Sequence, residues 1–358
     1  MKTTDEQKVP VTEIEAAMRN SLDSLAKPRG SLGRLEDFCV KMAKIQGTVP
    51  PRIRKKGLYI FAGDHGITEE GVSLYPPEIT GQMVRAFLSG QAAVNTLAAE
   101  CGWELAAVDA GVAVSFPPET ALSSPHRFLP RKIHRGSRSF LKEDALTREE
   151  LDQALEQGKE LAGDAKERSY DLAALGDMGI GNTSTAAAIL SAAGFPSDIM
   201  TDRGTGIDGE MLAHKRRVIE KALELRKARK NDALDIMKKL GSCDLAMMTG
   251  FILGLRGQGI ACVLDGFPVT SAAYMAYMLD PGVTDYLFAG HLSKVSGHKP
   301  VLDALGLEPV VSLGMHLGEG SGAVIGGRIV ELALLTARNM AGFSQAGLSG
   351  SSKEEELY

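Results

Sequence analysis

A single carboxylate lies between glycines in the segment Leu313-Gly314-Met315-His316-Leu317-Gly318-Glu319-Gly320-Ser321-Gly322-Ala323. An apolar run at residues 310–313 leads into it, and residues 323–337, rich in Ala, Ile and Leu, follow it. This pattern predicts a buried strand, a glycine-rich turn and a helix. Ligands of open α/β sheets bind beyond the carboxyl ends of the strands, where glycines let them approach the backbone. We therefore predict a ligand site around Glu319, with a solvated turn as the alternative.

The composition indicates a globular protein that binds a small ligand. The chain has 358 residues, which predicts one large domain with an appendage, or two domains. A net charge of -5 provides no basic field for nucleic acid or an anionic membrane surface. The N-terminus is polar, and no apolar run approaches the roughly 18 residues that a membrane span needs. We therefore expect a cytoplasmic protein with no nucleic acid and no membrane among its partners.

Short apolar runs alternate with helical patterns along most of the chain. Helices are predicted at residues 12–25, 33–45, 209–229 and 247–255. Strands are predicted at residues 57–62, 105–108, 172–175, 259–264, 285–289 and 309–313. This alternation predicts an α/β fold, doubly wound, with a mostly parallel sheet flanked by helices.

The first predicted strand is followed by Gly63-Asp64-His65-Gly66. Asp64 and His65 suit an acid–base pair or metal ligands, but adjacent residues rarely bind one metal, and no third ligand is spaced to join them. Asp64 is better explained as a strand-end residue that bonds backbone N–H groups and shapes the loop. We therefore predict no metal site here.

Two further glycine-rich turns precede helices. One is Gly176-Asp177-Met178-Gly179-Ile180-Gly181-Asn182-Thr183-Ser184-Thr185, and the other is Asp202-Arg203-Gly204-Thr205-Gly206-Ile207-Asp208, with Lys215 in the helix that follows. Backbone N–H groups at helix starts bind anions, and hydroxyls add donors, although each turn alone is equally well explained as an N-capped connection. The spacing matches neither GxGxxG nor GxxxxGK[ST], which argues against a dinucleotide or triphosphate. Together with Glu319, the loops describe a crevice for a monophosphate and a reaction that needs one base.

Read in order, these segments resemble the nicotinate-nucleotide:dimethylbenzimidazole phosphoribosyltransferase family, which makes the lower-ligand nucleotide of cobalamin. The resemblance covers nearly the whole chain. It rests on the two turns above and on Lys27-Pro28-Arg29-Gly30-Ser31-Leu32-Gly33, Gly63-Asp64-His65-Gly66, Leu264-Asp265-Gly266-Phe267 and Leu317-Gly318-Glu319-Gly320-Ser321-Gly322. Each motif is weak alone, but several in the same order are specific.

The resemblance implies a reaction and a set of site residues. Ribose 5-phosphate would pass from nicotinate mononucleotide to 5,6-dimethylbenzimidazole or a related base, with inversion at the anomeric carbon and Glu319 as general base. Phosphate and ribose would contact Gly179, Gly181, Asn182, Thr183, Gly204, Thr205, Gly206, Lys215 and Ser293. The base would contact Tyr75, Met83, Met178 and Leu317, with Asp177, Asp64 and His65 as supporting groups. No metal and no other cofactor is implied.

The resemblance also implies an organisation of the chain. A Rossmann-like catalytic domain would span residues 49–327. A small helical domain would combine residues 1–48 with the C-terminal helix in residues 328–358, and the protein would be a homodimer. The polar, acidic segment 345–358 is expected to be disordered.

Five positions depart from the pattern of the family. The family usually has Glu at Asp177, and it commonly has Ala-Glu where Lys294 and Val295 stand here. Tyr75 and Met83 occupy places where some relatives have Ser and Gln. Because apolar pockets discriminate weakly between similar ligands, the preferred acceptor base is left open.

A non-catalytic sensor on the same fold is the alternative function. Such a sensor would bind the nucleotide or the base and would not need Glu319, whereas the intact Gly318-Glu319-Gly320 turn favours an enzyme. A dehydrogenase is disfavoured because the GxGxxG turn is absent. Among the histidines, His316 is interpreted as a core residue, while His291 and His298 flank Ser293 as supporting groups.

Overall fold

The computed structural model describes residues 10–117, 119, 124–203 and 209–348. Its sheet has seven parallel strands in the order β3-β2-β1-β4-β5-β6-β7. The strands are β1 (Lys56–Gly63), β2 (Glu104–Gly111), β3 (Arg127–Pro130), β4 (Leu172–Met178), β5 (Ala261–Leu264), β6 (Leu287–His291) and β7 (Pro309–Val311). The α/β fold with a parallel sheet is therefore confirmed.

Helices cover both faces of the sheet. They are α1 (Val11–Asp23), α2 (Arg34–Gln46), α3 (Glu78–Ser89), α4 (Ala93–Glu100), α5 (Arg148–Glu167), α6 (Asn182–Ala192), α7 (Ser197–Met200), α8 (Gly209–Arg226), α9 (Ala233–Leu240), α10 (Cys243–Leu255), α11 (Phe267–Leu279), α12 (His298–Ala304) and α13 (Ser321–Asn339). Two 3₁₀ helices, Gly66–Glu70 and Pro281–Tyr286, complete the described helical structure.

The sheet is buried on both faces because its strands are apolar at consecutive positions. In β1, Leu58 and Ile60 belong to one hydrophobic cluster, and Tyr59 and Phe61 belong to the other. The first cluster packs against α1 to α4 and α13, and the second packs against α5 to α12. Burial on both sides is the usual environment of a parallel sheet with crossover helices.

The strand order creates a place for a ligand. The chain builds outward from β1 to β2 and β3, and then returns to the other side of β1 with β4. Crevices form at such reversals, outside the carboxyl ends of the strands. The segments that follow β1 and β4, which carry the Gly63 and Gly179 turns, therefore meet at this edge of the sheet.

Several strands differ from the prediction: the strand predicted at residues 259–264 starts at Ala261, and those predicted at 105–108 and 172–175 extend to Gly111 and Met178. The edge strand β3 was missed, because it has only four residues and none of them is fully buried. The strand predicted at residues 285–289 starts later, at Leu287, because Pro281–Tyr286 form a 3₁₀ helix. The strand predicted at residues 309–313 ends at Val311, and Leu313 is 60% exposed, so the run is not buried throughout.

The first two described helices and the last one pack together on one face of the sheet. Helix α2 packs against both α1 and α13, and the Ala26 N–H donates to the Ala341 carbonyl. These helices share their hydrophobic cluster with the sheet. The division into domains stays a prediction. Residues 349–358 of the tail expected to be disordered lie outside the described residues.

Helix α13 lies unusually close to β6 because glycines face each other at the contact. A Cβ added to Gly326 would lie 2.3 Å from the Gly290 carbonyl oxygen, and one added to Gly322 would lie 2.0 Å from the His291 ring. The close contact positions the start of α13, and with it the turn that carries Glu319. None of the helices in the described ranges is long and apolar enough to cross a membrane.

We expect Gly326→Ala to destabilise the protein by about 1–3 kcal/mol, because the added methyl group must push α13 away from β6. The matched control is Gly163→Ala in α5, where an added Cβ meets no heavy atom of the described residues within 4 Å. That change should stabilise the protein by about 0.5–1 kcal/mol, because alanine favours the helix. Urea unfolding measures both free energies, and equal effects of the two substitutions would contradict the proposed contact.

Candidate active site

A crevice opens at the carboxyl ends of β4, β5, β6 and β7. Its walls consist of residues 177–184, 265–269 and 316–318, with Val72, Ser73, Arg203, Lys215, His291, Ser293 and Val295. The strands of a parallel sheet end at the same edge, so segments far apart in sequence converge here.

Glu319 lies beside this crevice in a strained turn. Its side chain is 7% exposed, and its φ angle is 63°, between two glycines that also have positive φ angles. A non-glycine residue in this region costs of order 1 kcal/mol or more, and such residues concentrate at functional sites. The crevice itself is lined by Leu317 and Gly318, the residues immediately before Glu319.

Asp265 holds the Glu319 turn in place. One of its carboxylate oxygens accepts the Gly320 N–H at 2.9 Å, and the other accepts the Gly322 and Ala323 N–H groups at 2.8 and 3.3 Å. These donors belong to the first turn of α13, where backbone N–H groups lack partners within the helix. The buried carboxylate therefore caps α13 and fixes the turn.

The environment of Glu319 changes its acidity. Burial, and then the negative charge of Asp265, raise the pKa of the Glu319 carboxyl to about 7, while the Val94 N–H acts in the opposite direction. Within the described residues its Oε2 atom is buried without a hydrogen-bond partner. A carboxyl group with this pKa exchanges protons readily near neutral pH, which suits a general base.

A lysine and three hydroxyls form the polar wall of the crevice. The Lys215 side chain is 2% exposed, and its Nζ donates to Thr183 Oγ1 at 3.0 Å and to the Asp202 carbonyl at 3.2 Å. Burial lowers the pKa of Lys215 to about 8. Ser184 Oγ and Ser293 Oγ are buried and have no hydrogen-bond partner in the described part of the chain. This donor-rich wall suits an anion such as a phosphate.

Asp177 contributes a second buried carboxyl group to the crevice. Asn182 Nδ2 donates to its Oδ2 at 2.5 Å, and its other carboxylate oxygen is buried with no hydrogen-bond partner in the described part of the chain. Burial, followed by the charge of Asp244, raises the pKa of Asp177 well above its ordinary value. Burial would also raise the pKa of Asp244, but His65, Ser242 and Asp177 outweigh it and lower that pKa.

Asp64 and His65 lie behind the crevice, outside its wall. Asp64 Oδ2 accepts the Ala113 N–H at 2.7 Å, as predicted for a residue that shapes a loop. The His65 ring contacts Thr185 Oγ1 at 2.9 Å through Nδ1 and Asp244 Oδ2 at 3.2 Å through Nε2. Both residues therefore support the floor of the crevice from below.

Most of the residues predicted for the site line the crevice. These are Asp177, Met178, Gly179, Gly181, Asn182, Thr183, Lys215, Ser293 and Leu317. Tyr75 does not line the crevice and is 48% exposed, whereas Ser73, two residues earlier, does line it. Met83 packs partly buried against the hydrophobic cluster. Gly204, Thr205 and Gly206 lie outside the described residues.

The interpretation of His316 as a core histidine was wrong. The residue is exposed and lines the crevice, because β7 ends at Val311 and the chain is irregular from there to the turn. Sequence reasoning also gave no role to Asp265 or Asp244. Asp265 follows β5 directly, and that position could have identified it. Asp244 lies in a helix distant in sequence, and no local signal marks it.

Comparison with known proteins identifies close similarity over nearly the whole chain. A family model described as phosphoribosyltransferase matches residues 8–348. The chain is 43% identical to the nicotinate-nucleotide–dimethylbenzimidazole phosphoribosyltransferase of Geobacter sulfurreducens, over 94% of both chains. It is 42% identical to the protein of the same name from Chlorobaculum tepidum, again over 94% of each. A crystal structure of the Thermus thermophilus protein of that name superposes with a TM-score of 0.87 at 38% identity, covering 95% of this chain and 99% of the other.

We expect the stability of the protein to fall as the pH rises from about 5 to about 7. Because the pKa of Glu319 is about 7 in the folded state, against 4.5 ordinarily, the folded protein keeps a proton that the unfolded chain releases. The stabilisation that this bound proton provides is complete near pH 5 and is lost above about pH 7. Glu319→Gln should therefore flatten the profile of urea midpoints against pH, and parallel profiles for the two proteins would contradict the raised pKa.

Proposed function

Since the chain belongs to the nicotinate-nucleotide–dimethylbenzimidazole phosphoribosyltransferase family and is an enzyme of that kind, we propose that Glu319 is the general base of its reaction. The reaction transfers ribose 5-phosphate from nicotinate mononucleotide to 5,6-dimethylbenzimidazole or a related base, with inversion at the anomeric carbon. The observation that carries this proposal is the buried Glu319 oxygen beside the crevice, which lacks a hydrogen-bond donor among the described residues.

The chemistry of the two substrates explains why one base is enough. The carbon–nitrogen bond to the pyridinium breaks with its electron pair, so nicotinate leaves as a neutral ring and needs no acid. A benzimidazole ring nitrogen forms the new bond to the anomeric carbon from the opposite face. The N–H on its other ring nitrogen then passes its proton to Glu319, and the products are α-ribazole 5'-phosphate and nicotinate. A base that accepts this proton contributes about 10²- to 10⁴-fold.

We propose that the donor-rich wall binds the phosphate and ribose of nicotinate mononucleotide. Lys215 and the hydroxyls of Thr183 and Ser293 supply charge and donors, and the glycines of the Gly179-Ile180-Gly181 turn leave room for the ligand. Holding the two substrates in line contributes a large part of the rate in such bimolecular reactions. Gly204 to Gly206 are assigned to the same subsite by the resemblance.

We propose that the acceptor base lies between this wall and Glu319, against Met178 and Leu317, which line the crevice. The exposed Tyr75 and the partly buried Met83 would complete the pocket from α3 and the segment before it. The homodimer is carried over from the resemblance, and the cytoplasmic location is kept as the expectation drawn from the sequence. Exposed Leu74 and Leu313, near crevice residues in the sequence, support a covered surface in a dimer.

We expect Glu319→Gln to lower kcat by about 10²- to 10⁴-fold, because glutamine cannot accept the proton. In the wild type, kcat/KM should fall as the pH drops below about 7, where Glu319 becomes protonated. Both kcat and kcat/KM are measured by chromatography, as the nicotinate released from the mononucleotide with and without 5,6-dimethylbenzimidazole. Glu224→Gln, on the exposed side of α8, is the control. Undiminished base-dependent release in Glu319→Gln would refute the role of the residue.

We expect Lys215→Met to raise KM for nicotinate mononucleotide at least about tenfold, with a smaller change in kcat. The substitution keeps an unbranched side chain only one atom shorter and removes a buried charge that faces the proposed phosphate position. Lys221→Met, exposed on the same helix, controls for the loss of a lysine. Initial rates at varied mononucleotide concentration provide the test. An effect confined to kcat would contradict the assignment of Lys215 to the phosphate subsite.

A further inference from the structure

The segment that follows β6, residues 292–298, is hydrogen-bonded to both sides of the site. The Lys294 N–H donates to the Met315 carbonyl at 3.0 Å, in the stretch that leads to the proposed general base. The Ser296 N–H donates to Asp202 Oδ2 at 2.7 Å, and the carbonyl of the same aspartate accepts from the lysine of the proposed phosphate subsite. The position of this segment therefore bears on both halves of the crevice.

A buried histidine makes a further contact with this segment. His298 begins α12 and is fully buried. Its Nδ1 atom accepts the Ser293 N–H at 3.0 Å, and its Nε2 atom lies 2.9 Å from Thr270 Oγ1 in α11. The ring therefore connects the backbone of Ser293 to a neighbouring helix.

The contact with Ser293 determines where the ring carries its hydrogen. A backbone N–H only donates, so Nδ1 must be the unprotonated nitrogen that accepts from it. A neutral imidazole then carries its hydrogen on Nε2, which donates to Thr270 Oγ1. Burial, followed by the charge of the nearby His291 ring, lowers the pKa of His298 to about 3, although Asp265 acts in the opposite direction. The low pKa agrees with a neutral ring.

The same contact leaves the hydroxyl as the one donor that Ser293 can offer to a ligand. Its N–H is already bonded to the ring, whereas its Oγ is buried and has no hydrogen-bond partner among the described residues. Ser293 lines the crevice together with the donor-rich wall. A buried hydroxyl without a partner is unfavourable, and a phosphate or ribose oxygen of the ligand would satisfy it.

We propose that His298 is a positioning residue, which holds the Ser293 backbone through Nδ1 so that the Ser293 hydroxyl donates to the ribose phosphate of nicotinate mononucleotide. In this account His298 touches neither substrate and acts through Ser293. The inference rests on the proposed function for the identity of the ligand. A ring with its hydrogen on Nδ1 would set that hydrogen against the Ser293 N–H and displace the segment.

Two substitutions separate the roles of the two ring nitrogens. In His298→Asn the side-chain oxygen takes the place of Nδ1 and accepts the Ser293 N–H, whereas in His298→Gln the amide reaches the place of Nε2, beside Thr270. We expect His298→Gln to raise KM for nicotinate mononucleotide about tenfold with a smaller change in kcat, and His298→Asn to raise it less than about threefold. Initial rates of nicotinate release measure both constants. Equal effects, or the opposite order, would indicate a purely structural histidine and overturn the inference.

Ser293→Ala tests whether His298 acts through the hydroxyl. This substitution keeps the backbone N–H, and we expect it to weaken the binding of nicotinate mononucleotide about tenfold in calorimetry. Adding His298→Gln to Ser293→Ala should cause little further loss, because residues that act as one unit are not additive. Wild-type affinity in Ser293→Ala, or a second tenfold loss in the double variant, would overturn the inference. Circular dichroism melting confirms that each variant is folded before its affinity is compared.

Nitrogen NMR of the isotope-labelled wild type tests the ring without any ligand or variant. The His298 signals, assigned through bonds from the backbone, should show a protonated Nε2 and an unprotonated Nδ1, unchanged between about pH 6 and about pH 8. A hydrogen on Nδ1 near neutral pH would overturn the inference even if no variant folds.

Lys215→Met distinguishes failure of this inference from failure of the proposed function. An unchanged affinity for nicotinate mononucleotide in both Lys215→Met and Ser293→Ala would contradict the proposed phosphate subsite itself, and the inference with it. A loss in Lys215→Met but not in Ser293→Ala would overturn only the role given to Ser293 and His298.

Discussion

The carboxylate of Asp265 is the group on which the geometry of this site depends. It follows β5 and accepts three backbone N–H groups from the turn and first residues of α13. The same contact holds Glu319 in a positive-φ conformation and brings a negative charge near its carboxyl group. The Asp265 interaction therefore positions Glu319, and burial together with the Asp265 charge raises the pKa of Glu319 to about 7.

Two carboxyl groups beside one crevice experience different surroundings, and this difference suggests different roles. Glu319 has an oxygen with no partner in the described structure and a pKa near 7. Asp177 accepts a hydrogen bond from the Asn182 amide, and burial, followed by the negative charge of Asp244, raises the pKa of Asp177. Titratable groups whose environments push their pKa values apart are typical of acid–base sites. In the proposed mechanism Glu319 is the group that accepts a proton.

The fold explains how these groups come together. Parallel strands end at one edge, so the segments after β1, β4, β5, β6 and β7 meet there although they are far apart in the chain. Glycines then let these segments approach more closely than side chains would permit. At Gly176, a Cβ would lie 2.6 Å from the backbone of Glu319 and Gly320, so only glycine allows the Glu319 turn to rest on β4. The packing of backbone on backbone gives the turn its rigidity.

The sequence by itself determined the class of fold and the loops that carry the site. Apolar runs alternating with helical patterns predicted the parallel sheet, because a strand buried on both faces is apolar at consecutive positions. The glycine-rich turns indicated where the strands end. Strand β3 is short and half-exposed, so it has no continuous apolar run that could have predicted it. The interpretation of His316 was wrong because the end of β7 depends on its neighbours in the sheet. Only the tertiary structure decided which polar groups meet. Asp244 and His65 come from two separate segments, and their contact, like the raised pKa of Glu319, arises from burial and proximity, which local sequence does not encode.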